Sequence, residues 1–111
     1  MMNTVKDINE LLFSYTDIFD TEISPGIENA KSRGQLRKAV KKAVVSIKQL
    51  EYRLQRMDFD KDLETPVSLI KSHFSTARKG FEYIAKGNAH KGAQYDRRAR
   101  EIYAEYLRRF V

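Results

Sequence analysis

Seven apolar residues, Leu36, Val40, Ala43, Ile47, Leu50, Leu54 and Met57, follow one another at steps of 4-3-4-3-4-3. Three heptads without a fault point to a helix with a single apolar seam. From Arg33 to Met57 such a rod is about 37 Å long. A seam of that length has to be covered, so it demands helical neighbours of similar reach. Ser32 with Gln35 three residues later reads as its start. Ser24 with Pro25 is a second candidate, which would lengthen it at the front. Val44, Val45 and Tyr52 fall off the seam and predict neighbours on more than one side.

Three further segments carry the same period. Val5, Ile8, Leu12, Tyr15 and Phe19 step 3-4-3-4. Thr4 and Asp7 resemble a capping box at the front of that run. Ser24-Pro25-Gly26 predicts its end near Thr21. After a polar connection over 58–64, Thr65 reads as a cap and Pro66 as the first position of a third helix. Val67, Ile70, Phe74, Ala77, Phe81 and Ile84 form its stripe. Gly87 suits the left-handed cap that ends it, and Asn88 can cap the next helix. Tyr95, Ala99, Ile102, Tyr106 and Phe110 carry the fourth stripe to the end of the chain. The expected fold is all-α: an antiparallel four-helix bundle with a long second helix and a tight hairpin between helices three and four. At 111 residues a compact chain hides roughly two-thirds of its unfolded surface, enough for one domain over 1–111 and no second.

Composition removes several chemistries. With no cysteine there is no thiol nucleophile, disulfide framework or cysteine zinc site. No stretch approaches about 20 apolar residues, so no membrane span is expected. MMNTVKDINELLF lacks the cationic start and unbroken apolar core of a signal peptide, which makes a cytoplasmic protein the expectation. Asp58, Asp60 and Asp62 occupy the first three ligand positions of a calcium loop. Leu63 and Leu69 then stand where glycine and a bidentate glutamate are needed, so no metal site is assigned. A di-iron site requires Glu-x-x-His pairs, and Ile70 and Gly87 precede His73 and His90 instead. Each histidine reads as a lone imidazole on a helix surface. Neither a serine nucleophile motif nor a glycine-rich phosphate loop is present. We therefore expect no catalysis and no cofactor.

Charge is the remaining signal. Residues 1–30 carry a net −5, 31–58 a net +7, 59–72 a net −1 and 73–111 a net +5, for +6 over the chain. With Val40 and Ile47 turned inward, Lys31, Lys38, Lys41, Lys42, Lys48 and Arg56 fall on the far side of the second helix. A row about 35 Å long can follow a nucleic-acid backbone by neutralising phosphates. Arg97, Arg98 and Arg100 make a second cluster on the fourth helix, joined by Arg108 and Arg109, and arginine's planar fork suits phosphate. Tyr52 and Tyr103 stand near these cations and can stack on unpaired bases. Lysine and arginine are also the usual coat of a solvated helix face.

Within residues 73–106, Gly80, Tyr83, Gly87 and Ala99 fall at characteristic places, and Gly92 stands where alanine is usual. In this register the segment resembles a single tetratricopeptide repeat, a helical hairpin of about 34 residues. Thr76 and Asp96 depart from its aromatic positions, and Ala104 departs from its proline. The resemblance implies the hairpin and no peptide groove, since one repeat cannot form one.

The expected function is non-catalytic binding of nucleic acid, largely through the phosphate backbone, as an accessory subunit of a nucleoprotein assembly. No helix-turn-helix or RNA-recognition motif points to base reading. The alternative is a protein-interaction module, an adaptor, chaperone or inhibitor that docks an acidic partner through the same face. Seven-residue stripes are equally compatible with a homodimer, and no membrane partner is expected.

Overall fold

A computed structural model of the chain describes residues 2–111. It is all-α. The helices are α1 (Val5–Ile18), α2 (Ser24–Glu28), α3 (Arg33–Gln55), α4 (Glu64–Ala85) and α5 (Ala89–Phe110). Among the described residues no strand forms, and a lone bridge pairs Asn3 with Phe59. Among the described residues no helix is long and apolar enough to cross a membrane.

The front of α1 follows the capping signal: the Thr4 amide donates to Asp7 Oδ2 at 2.8 Å. That bond, with help from Asn3, holds the Asp7 carboxyl below the usual carboxylate range. The back of α1 departs from expectation. The helix does not stop near Thr21 but passes through a π-helical turn, Phe19–Ile23, directly into α2. The Ser24 amide bonds to the Phe19 carbonyl, a step of five residues instead of four. This slip places Pro25 just past a widened turn, which accommodates its ring within the helical run. Residues 5–28 thus make one continuous rod. Its end at Glu28 rules out Ser24 as the start of the long helix.

That start is at Ser32, whose Oγ accepts from the Gln35 amide at 3.1 Å, while Gln35 Oε1 accepts from the Lys31 amide at 2.7 Å. A 3-10 turn, Lys61–Leu63, leads into α4 at Glu64. Thr65 is therefore inside the helix rather than its cap. Pro66 is third rather than first, still within the turn whose amides have no helical acceptor. Gly87, at φ +89°, closes α4. The Asn88 amide reaches the Tyr83 carbonyl and the Gly87 amide that of Ile84, the paired bonds of a Schellman cap. The Asn88 side chain then accepts from the Lys91 amide at 3.1 Å and opens α5.

The stripes meet in one core. Ile8, Leu11 and Leu12 of α1, Val40 and Ile47 of α3, Ile70 and Phe74 of α4, and Tyr106 of α5 are fully enclosed. Each large side chain contributes about 1.5–3 kcal/mol by leaving water. Helix α4 packs on α5 and α3, and α1 packs on α3 and α4. Ile84 and Gly80 of α4 meet Gly92 and Tyr95 of α5, and His73 meets Ala99. At the ends of α3, Gly26 lies against Ala39, and the Asn3 amide bonds to the Asp58 carbonyl at 2.7 Å. A Cβ on Gly92 would lie 2.5 Å from Ile84 Cγ1 and 2.9 Å from the Gly80 carbonyl oxygen. The α4–α5 crossing is therefore closer than the alanine of a tetratricopeptide register allows.

Two expectations fail in the core. His73 is no surface imidazole: it is 2% exposed, and its Nδ1 lies 3.1 Å from the Ala99 carbonyl. Val45 and Tyr52 stay outside the core, being 55% and 58% exposed. Only Val44 packs against the core.

Candidate functional site

The outer side of α3 is built by the same period that builds its seam. With Val40, Ala43, Ile47, Leu50 and Leu54 buried, the opposite line runs through Lys38, Lys41, Val45, Lys48 and Tyr52, and Arg56 follows at the C-cap. Lys31 stands just ahead of the Ser32 cap. Lys42 lies to one side, with Lys38 and Glu22 in the wall of a cleft of about 410 Å³ between α2 and α3. Gly34, Arg37, Lys38, Lys41, Lys42 and Val45 surround a shallow dent on the outer face. All six sequence-predicted cations of this row are exposed.

Five ion pairs form among the described residues. They join Arg78 to Glu51 and Glu82, Arg98 to Glu101, Arg100 to Asp96, and Arg109 to Glu105. None involves a lysine or an acidic residue of 1–30. Although Glu22 shares the cleft with Lys38 and Lys42, the acidic N-terminal rod does not neutralise the lysine row by direct pairing. Arg56 is spoken for locally: its guanidinium carbon lies 5.5 Å from the centre of the Tyr52 ring, and Nη1 donates to the Tyr52 hydroxyl at 3.2 Å.

The arginines of α5 are arranged differently. Arg97, Arg98 and Arg100 are exposed; Arg97 and Arg100, three residues apart, lie on one face of α5, and Arg98 turns about 100° away from Arg97. Arg98 donates to Glu101 at 3.2 Å and Arg100 to Asp96 at 3.0 Å, leaving Arg97 without an ion-pair partner among the described residues. Because α4 stands between α3 and α5 as the helix both pack on, the arginines do not extend the lysine row. Tyr103 is not free to stack. Its hydroxyl lies 3.1 Å from that of Thr16, and its ring centre 5.4 Å from that of His73. Tyr52 is exposed on α3, with Arg56 over its ring.

The row offers ammonium donors and fixed positive charge, with Val45 and Tyr52 as apolar interruptions. That chemistry binds anions. Sequence reasoning missed the exposure of Phe13 on α1, 51%, which sits between Glu10 and Asp17 on the outer line of that helix. It also missed the burial of His73, although Ile70, His73 and Ala77 step 3-4 along the inner face of α4. Comparison with protein-family models, curated proteins and solved structures finds no match to this chain.

Proposed function

We propose that this protein binds nucleic acid without strong sequence preference, through phosphate contacts along the outer face of α3, as a non-catalytic accessory subunit of a nucleoprotein assembly in the cytoplasm. The scaffold is read as a single domain, an antiparallel four-helix bundle whose α4 and α5 form a tight hairpin. Its bundle reading rests on contacts that climb α5 as they descend α4. The observation that supports the function best is the set of lysines Lys38, Lys41, Lys42 and Lys48, exposed and without ion pairs among the described residues. Side chains already pointed at solvent need no rearrangement to replace the counterions of a phosphate backbone. The test is affinity for single-stranded and duplex oligonucleotides at two salt concentrations. A steep fall with salt supports the reading, and affinity indifferent to salt removes it.

One observation favours an acidic protein partner instead: Val45 and Tyr52 place apolar surface within the cationic row, as protein interfaces do. Nuclease treatment of a pull-down separates the two. Partners held by nucleic acid are lost, and directly bound proteins stay.

A further inference from the structure

The outer lines of α1 and α3 are opposite in charge, and each has an exposed apolar residue at its centre. On α1, Glu10 stands three residues before Phe13 and Asp17 four after it. On α3, Lys41 stands four residues before Val45 and Lys48 three after it. Phe13 and Val45 are 51% and 55% exposed. The four charged side chains are also exposed and take no part in the ion pairs of the described residues.

We propose that the occupant of the α3 face, in the absence of nucleic acid, is a second copy of this chain, which lays its α1 antiparallel along α3. In that direction both spacings match: Phe13 meets Val45, Glu10 meets Lys48 and Asp17 meets Lys41. Charge sets the mode of assembly. Two α1 faces repel, as do two α3 faces, so a symmetric dimer through either is disfavoured. The contact joins unlike faces, and each copy retains one of each, so growth is head to tail. Two apolar side chains provide little area, and exposed ion pairs are screened by salt, so association is weak and confined to low ionic strength. The inference goes beyond the nucleic-acid reading, although both use Lys41 and Lys48.

Sedimentation of nucleic-acid-free protein at about 20 mM and about 500 mM salt tests it. The wild-type chain is expected to exceed its 13.0 kDa monomer mass at low salt and to return to it at high salt. Glu10→Lys with Asp17→Lys, and separately Lys41→Glu with Lys48→Glu, should each stay monomeric at low salt. An equimolar mixture of the two should associate again, because every unlike contact is restored. Phe13→Ser, which leaves all charges in place, should weaken association about tenfold. The α1 charge variant should still bind nucleic acid, so failure of one proposal is read apart from failure of the other. A wild-type chain that stays at monomer mass at low salt overturns the proposal. So does an α1 variant that associates like wild type, or a mixture that does not associate.

Discussion

The imidazole of His73 stands edge-on to Tyr15 at 4.8 Å between ring centres, in the interior where α1, α4 and α5 meet. A carbonyl only accepts, so the Ala99 contact puts the proton on Nδ1 and leaves a lone pair on Nε2. Among the described residues that nitrogen has no hydrogen-bond partner. Burial disfavours the charged ring and lowers its pKa from 6.5 to about 4, although the Ala99 carbonyl acts in the other direction. Between these values the unfolded chain holds a proton that the folded one refuses. The stability tied to a neutral His73 is complete above pH 6.5, falls as pH drops through that window, and is spent near pH 4. Its loss amounts to about 3 kcal/mol. Urea midpoints should therefore fall between pH 7 and pH 4, and His73→Leu should remove most of that slope. Two glycines give opposite expectations. Gly92→Ala forces a methyl onto Ile84 and the Gly80 carbonyl and should cost about 1–3 kcal/mol. Gly34→Ala, on the open face of α3 with only Ser32 Oγ near at 3.9 Å, should stabilise by roughly 0.5–1 kcal/mol. Thermal melts of the two variants should move in opposite directions.

Between elements, one polar contact ties α3 to α4. Arg78 donates from Nε to Glu51 Oε1 at 2.6 Å and from Nη2 to Oε2 at 3.3 Å, and its Nη1 reaches Glu82 on its own helix. The fork is half-buried, so it gains more than an exposed pair does. A double-mutant cycle on Arg78→Ala and Glu51→Ala should show a coupling of about 1 kcal/mol, and a coupling near zero would make the pair decorative. This tie crosses helices and was invisible to local pattern reading. What could be read was periodic or capped: the α3 seam, the Ser32 start, the Gly87 stop and the Asn88 cap all depend on residues within four positions of one another. A rule about one residue gives way where the backbone or its neighbours can adapt to that residue. Pro25 predicts a helix end, and a π turn carries the helix past it. The polarity of His73 points to the surface, whereas its spacing from Ile70 and Ala77 places it inside. The lysine row was legible for the same reason as the seam, being its complement on one helix. The turn of Arg98 away from Arg97 and Arg100 also follows from helical geometry, but the carboxylate partners of Arg98 and Arg100 do not follow from composition.

Across the whole molecule, about 35 Å of α3 runs along a body 46 Å in its longest dimension, and its outer face faces solvent. The two cationic clusters seen in the sequence are therefore unequal. Lys41, Lys42 and Lys48 form no ion pair among the described residues, whereas Arg98 and Arg100 already hold carboxylates that any phosphate must displace. Each lysine lost from a phosphate-bound face removes about 0.9 from the slope of log affinity against log salt. Lys41→Ala, Lys42→Ala and Lys48→Ala together should flatten that slope by about 2–3 and weaken oligonucleotides of every sequence alike. The matched triple change at Arg97, Arg98 and Arg100 should flatten it by about 1 or less, since only Arg97 is free to pair. Fluorescence anisotropy titrations across a salt series read both slopes directly. Equal losses from the two triples would mean that net charge alone drives binding, and a larger loss from the arginines would move the binding face to α5.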